Sequence, residues 1–160
     1  MKLVNQELTN LIDRPNDSLI SDYSLTKDRS NMAPTTHTPT TTVQRFSELL
    51  SQGRIDALLE LYEDDAAFLP EPGRAVVGTE SIRAELERFA ALQPRMTGSV
   101  EKVVQTRDTA LVAYRWQLKG TAPDGSPVDM AGTSADVLRR RPDGSWGVLI
   151  DDPWGAGAAA

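Results

Sequence analysis

Tyr114, Ser134, Asp136 and Asp152 are residues whose types could move a proton, provided the fold brings them together. Two copies of one tripeptide indicate how it would. Pro123-Asp124-Gly125 and Pro142-Asp143-Gly144 each interrupt a strand-like run. Proline presets the second position of a type I turn, aspartate suits the third, and glycine takes the left-handed fourth, giving a three-residue hairpin loop. The residue before each proline then faces the residue after each glycine, so Ala122 pairs with Ser126 and Arg141 with Ser145. Counting back aligns Trp116, Gly132 and Trp154 in one row and Tyr114, Ser134 and Asp152 in the next. Val112, Asp136 and Ile150 follow, then Ala110, Leu138 and Val148. The opposite face collects Arg115, Gln117, Lys119, Asp129, Arg139, Arg141 and Asp151. The tryptophan-bearing face is therefore expected to be buried.

On that face Asp136 and Asp152 would be diagonal neighbours, roughly 7–8 Å apart at their backbones. Two buried carboxylates without a cation are costly, so at least one must reach water or hold its proton. Such a pair keeps a neutral acid beside a carboxylate, the arrangement that acid–base catalysis uses. Asp151 precedes Asp152 directly and is expected to point the other way. Gly132, between two tryptophans, leaves room either for their rings or for a ligand. The same side chains would also serve a purely structural network, with Asp136 bonding backbone amides or an arginine and Asp152 open to solvent at the mouth of the sheet.

The elements that must position these residues are legible from Val43 onward. Val43, Phe46, Leu49 and Leu50 form one helical stripe, with a threonine available as N-cap and Gly53 as terminator. Ile55, Leu58, Leu59 and Tyr62 form a second. Short strands are expected at 66–69 and 75–77 around Pro70-Glu71-Pro72-Gly73, then a helix from Thr79 to before Pro94. Strands at 98–106, 109–120, 127–141 and 146–152 complete an ααββαββββ order. That predicts an α+β domain with helices packed on a curved antiparallel sheet. Arg139-Arg140-Arg141 alternates along a strand and reads as a solvated edge rather than a phosphate site.

Composition narrows the chemistry. The chain has 160 residues, no cysteine, one histidine and a net charge of −6, with 39% apolar residues. Thiol nucleophiles, thiolate metal sites and multi-histidine metal sites are excluded. The acidic balance argues against nucleic acid, and no run is long enough to span a bilayer, so a cytoplasmic protein is expected. There is no glycine-rich phosphate loop, and neither a cofactor nor a metal is expected. Residues 1–32 contain neither alanine nor glycine and lack the apolar stretch of a signal peptide. They read as a disordered tail, a docking segment, or an appended leader with Met32 as the natural start. Residues 33–42, APTTHTPTTT, read as an extended Thr/Pro-rich linker in which His37 is solvated, and residues 156–160 as a flexible C-terminus.

Three runs carry a family resemblance: TVQRFSELLSQGRIDALLELYEDDAAFLPEPG, VVGTESIRAELERF and ADVLRRRPDGSWGVLIDDPWG. They are similar to the SnoaL-like and ketosteroid-isomerase-like branch of the NTF2-like superfamily, over residues 43–155. The resemblance implies a cone whose open end takes a small hydrophobic molecule, and homodimers formed through the sheet. In the isomerases a tyrosine oxyanion donor lies on the first helix, where this chain has Phe46, and an aspartate base lies on the first strand, where it has Pro70 with Glu71 beside it. A protonated aspartate on the penultimate strand matches Asp136, and a supporting tyrosine matches Tyr62. The implied activity is cofactor-free isomerisation or cyclisation of a hydrophobic carbonyl compound of polyketide or terpenoid type. Asp136 is then the proton-sharing acid and Asp152 or Glu71 the base. Tyr62, Tyr114 and Ser134 supply hydrogen bonds, and Phe46, Phe68, Trp116, Met130, Ile150 and Trp154 line the pocket. The alternative is a non-catalytic dimeric module that holds a hydrophobic ligand in the same cone.

Overall fold

The computed structural model describes residues 37–155, so the expectations for 1–32, for 33–36 and for 156–160 lie outside the described residues. The chain runs α1 (Pro39–Ser51), α2 (Ile55–Leu59), β1 (Tyr62–Glu71), β2 (Arg74–Val77) and α3 (Thr79–Ala90). Four long strands follow: β3 (Arg95–Gln105), β4 (Thr109–Thr121), β5 (Pro127–Arg140) and β6 (Trp146–Asp151). This is the expected order.

Helix α1 starts inside the tract expected to be an extended linker. The Thr38 hydroxyl accepts from the Thr41 N–H at 3.1 Å, and the Thr41 hydroxyl accepts from the Thr38 N–H at 2.9 Å. This reciprocal cap satisfies two amides that the first turn leaves open. Pro39 occupies the first helical position, where its missing N–H costs nothing and its fixed φ suits the helix. Residues 39–42 are therefore helix, not linker. His37 is exposed, as expected. The inward face of α1 carries Val43, Ser47, Leu49 and Leu50, and Gly53 takes the positive φ of 65° that turns the chain into α2.

The six strands lie in the order β2-β1-β6-β5-β4-β3. The sheet is mixed rather than wholly antiparallel, because β1 and β6 pair in parallel. From β2 the chain crosses through α3 to the far edge and returns by hairpins, so β6 arrives beside β1 running in the same direction. Leu49, Leu58, Phe68, Ile82, Leu86, Val112 and Leu138 are nearly inaccessible and form the core between helices and sheet. Each contributes about 1.5–3 kcal/mol of apolar burial.

Both Pro-Asp-Gly loops close as predicted. Ala122 N–H donates to Ser126 O and Arg141 N–H to Ser145 O, each at 2.8 Å. Pairing of β4 with β5 then runs without interruption, including Trp116 with Gly132, Tyr114 with Ser134 and Val112 with Asp136. Pairing of β5 with β6 starts in the predicted register, Leu138 opposite Val148, but the next pair is Val137 with Ile150. Leu149 is an extra residue, a β-bulge that reverses the facing of everything after it. Ile150 is turned outward and 38% exposed, whereas Asp151 is buried at 7%. The expectation that Ile150 and Asp152 face inward, and Asp151 outward, is overturned by this one residue.

The outer ends of β5 and β1 are tied by charge. Arg141 Nε donates to Glu63 at 2.7 Å and its Nη2 to the Tyr62 carbonyl at 2.7 Å, while Arg139 Nη1 donates to Asp65 at 3.2 Å. Arg139 and Arg141 thus clasp β1 instead of forming a merely solvated edge.

Candidate functional site

A cavity of about 40 Å³ lies between α1 and the sheet. Its polar wall is Tyr114 from β4, Ser134 and Asp136 from β5, and Asp151 from β6; Phe46, Met96, Trp116 and Pro153 supply apolar wall. A second lobe of about 40 Å³ shares those four residues and adds Phe68, Phe89 and Trp154 among others, with no polar lining side chain except the Trp116 and Trp154 indoles. Each lobe has room for a few atoms, since one water needs about 10–15 Å³ measured this way.

The hairpin register places the polar wall. Ser134 and Asp136 are two apart on β5 and share its inward face, where Ser134 Oγ donates to Asp136 Oδ2 at 2.6 Å. One step beyond the Val137–Ile150 pair, Asp151 lies abreast of Asp136. Tyr62 donates its phenolic proton to Asp151 Oδ2. Asp136 Oδ1 is buried with no hydrogen-bond partner. None of the cavity-lining residues is cationic.

Burial drives the protonation of this group. It pushes the Asp136 carboxyl well above the usual range, the charge of Asp151 adds to the rise, and the Ser134 hydroxyl opposes it. Asp151 is raised to about 6 by burial, against the pull of the Tyr62 hydrogen bond. Tyr62 is itself raised above its ordinary value, by burial and then by the Asp151 charge. Both carboxyls of the pair are therefore biased toward holding a proton, and burial is the main cause in each.

Tyr114, Trp116, Ser134, Asp136 and Phe46 line the first lobe, and Phe68 and Trp154 line the second. Tyr62 reaches the site through Asp151 and packs edge-on against Phe46, ring centres 6.2 Å apart. Four expected residues do not join them, Ile150 among them because the bulge turns it outward. Asp152 lies past the bulge, where its Oδ1 accepts the N–H groups of Trp154 at 3.2 Å and Gly155 at 3.0 Å. Glu71 sits at the β1–β2 turn, exposed and paired with Arg74, because the strand carries its side chain to the solvent face. Met130 packs at the rim of the core opposite Leu118 and lines neither lobe. The room left by Gly132 is taken by a ring, since an added Cβ would meet Trp116 Cζ2 at 2.9 Å. Trp116 donates to the Pro153 carbonyl at 2.8 Å and meets Trp154 edge-to-face at 5.6 Å.

Asp151, Met96 and Pro153 were missed. For Asp151 no pattern in the strand gives it away: Val148-Leu149-Ile150 is apolar at three successive positions, so either facing buries something. Elsewhere, an open groove of about 730 Å³ between α2 and the β5–β6 loop is walled by Asp56, Glu60, Glu63, Asp64 and Arg141. Among the described residues no cluster of histidine and carboxylate side chains could hold a metal ion. No described helix is long and apolar enough to cross a membrane.

Residues 43–147 match the family model of the SnoaL-like domain. Among solved structures, a ketosteroid isomerase-like protein from Erwinia carotovora atroseptica superposes with a TM-score of 0.61 at 24% identity, covering 69% of this chain and 88% of that one. An NTF2-like protein with a cystatin-like fold from Novosphingobium aromaticivorans gives 0.63 at 19% identity, covering 76% and 81%. A scytalone dehydratase-like protein of the same organism gives 0.64 at 14% identity, covering 75% and 91%. These likenesses establish the fold, an α+β NTF2-like cone. No curated protein sequence matches the chain significantly.

Proposed function

The chain belongs to the SnoaL-like domain family, and from that footing we propose that its chamber is a cofactor-free acid–base site for a small, uncharged carbonyl compound. The observation that carries this reading is the buried Asp136–Asp151 pair with no cationic residue lining its cavity, one carboxyl hydrogen-bonded by Ser134 and the other by Tyr62, both raised above their ordinary values by burial. Asp151, rather than Asp152 or Glu71, is the base. It takes a proton from the carbon next to the carbonyl, and the electron pair of that C–H bond moves into the enolate. Asp136 faces the oxygen on which charge develops and donates a hydrogen bond from Oδ1, the atom left without a partner. Return of the proton to a different carbon completes an isomerisation, and attack of the enolate carbon on a second carbonyl completes a cyclisation.

The test is hydrogen–deuterium exchange. Small ketones and enones incubated with the protein in heavy water should lose the NMR signal of the hydrogen next to the carbonyl, and Asp151→Asn and Asp136→Asn should each slow that loss at least a hundredfold. Binding of the same compounds without any exchange would sink the acid–base reading and leave a ligand-holding module. Phe46 favours that second reading, because it stands where the related isomerases place a tyrosine donor.

We further propose that the protein is a homodimer through its open sheet face. Val77, Ala67, Ile150, Val137, Leu111 and Val104 form one row of register partners across all six strands. Four of them, Val77, Val104, Leu111 and Ile150, are large and exposed. Monomers seldom leave a contiguous apolar strip of that kind in water.

A further inference from the structure

Tyr62 donates its phenolic proton to Asp151, yet the strand ladder alone does not aim it there. On β6 the register partner of Tyr62 is Val148, and the next pair is Ala67 with Ile150. Residues 63–66 of β1 therefore stand against Leu149 alone, and no regular ladder fixes that stretch. The phenol reaches Asp151 alongside it, so its direction depends on how the backbone at Tyr62 is held.

Arg141 holds that backbone. It follows the last residue of β5, and its side chain crosses β6 to reach β1. The crossing passes Gly147, where an added Cβ would meet Arg141 Nε at 2.8 Å and the Glu63 carboxyl carbon at 2.7 Å. On the far side Arg141 Nη2 donates to the carbonyls of Tyr62 at 2.7 Å and Glu60 at 3.2 Å. Its Nε donates to the Glu63 carboxylate at 2.7 Å. One planar group thus gathers three acceptors at the head of β1. A lysine ammonium, a point charge on a flexible stem, cannot reproduce that fork. Arg139 offers the contrast, since it ties β5 to β1 through the Asp65 and Glu63 carboxylates.

We propose that Arg141 is a positioning residue, setting Tyr62 so that its hydroxyl meets Asp151 in the chamber. This rests on the acid–base reading for the role of Asp151 as base, and adds a residue outside the cavity that governs how basic it is. Burial and the charge of Asp152 raise Asp151, and the Tyr62 hydrogen bond pulls it back. The titratable groups that act on it or share its cavity are Tyr62 of β1, Tyr114 of β4, Asp136 of β5 and Asp152 beside it. From α1 and β3 the cavity receives only Val43, Phe46 and Met96. Arg141 is not on the cavity wall, so its influence runs through the phenol.

The test titrates the full-length chain and reads the aspartate carboxyl carbons by NMR, the Asp151 signal being the one lost in Asp151→Asn. Asp136→Asn serves as the common background, so that Asp151 titrates by itself. Tyr62→Phe should move the midpoint to higher pH, because the bond it removes favours the ionised form. Arg141→Lys keeps the positive charge and should move the midpoint the same way, by about 0.5–1 pH unit. Gly147→Ala, which displaces the guanidinium without removing it, should do likewise. Arg139→Lys should lower the melting temperature and leave the midpoint in place, as a merely structural clasp would. Adding Arg141→Lys to Tyr62→Phe should give no further shift, since both act through one hydrogen bond. A midpoint that moves in Tyr62→Phe but in neither Arg141→Lys nor Gly147→Ala overturns the proposal and leaves the acid–base site untouched. A Tyr62→Phe midpoint that stays in place overturns it as well. The expected shifts, found with a wild-type protein that exchanges no ketone hydrogen, would uphold the positioning and remove the acid–base reading alone.

Discussion

Asp136 and Asp151 make the folded protein hold protons that the unfolded chain has already released. Both carboxyls are raised by burial, Asp151 to about 6 and Asp136 well above its ordinary value. The sign follows directly. A group whose folded pKa exceeds its unfolded value favours the folded state fully at low pH, and that contribution is lost as pH rises from about 4 through the folded value. Stability from urea unfolding should therefore decline as pH rises from about 4 through 6, by up to about 1.4 kcal/mol per pH unit for each extra proton held, and continue to decline until Asp136 has released its proton. Asp136→Asn should flatten that decline by up to one proton's worth while keeping an acceptor for Ser134. Asp124 and Asp143, lowered by hydrogen bonds from Ser126 and Ser145, act in the opposite direction but only in the acid range below this window. Identical slopes in the two proteins would mean that Asp136 is hydrated. Three residues of this site, Tyr114, Ser134 and Asp136, were legible in the sequence because turn chemistry determines register and register determines facing. Asp151 was not, because its facing is decided by an insertion in the ladder rather than by its own neighbours.

At the scale of elements, the two features that escaped the sequence are both matters of position. Proline disfavours a helix interior but favours the first turn, and Thr38-Pro39 is a start signal only once Thr41 is seen to complete the cap. The bulge at Leu149 escaped because Val148-Leu149-Ile150 offers no polar residue to mark which side faces water. The strands, the helical stripes and both hairpin loops were readable because each rests on a strong local preference: period, glycine φ or proline φ. The cap itself is testable. Thr38→Ala removes the acceptor for the Thr41 amide at the head of the helix that brings Val43 and Phe46 to the chamber. It should cost about 1 kcal/mol, read as a lower urea midpoint at unchanged slope. An unchanged midpoint would mean that water replaces the threonine at no cost, and that α1 is held by its buried face alone.

At the scale of the whole molecule, the sheet has two faces with different tasks. One is covered by helices and encloses the chamber. The other carries the apolar row, and the bulge that turns Asp151 inward is also what turns Ile150 outward into that row. Chamber and outer face therefore share a single backbone irregularity: an uninterrupted β6 would send Ile150 in and Asp151 out. This links the self-association proposal to the site. Leu111, paired with Val104 on one side and Val137 on the other, sits within the row and is 41% exposed. Leu111→Lys places a charge there without touching the core, so the protomer should lose no more than about 0.5 kcal/mol of its own stability. In sedimentation equilibrium the wild type should give twice the chain mass at micromolar concentration, and the variant should give the chain mass. The melting temperature of the wild type should rise with protein concentration, as mass action requires of a dimer, and that of the variant should not. A wild type that sediments as one chain up to 100 times that concentration would refute pairing through this face.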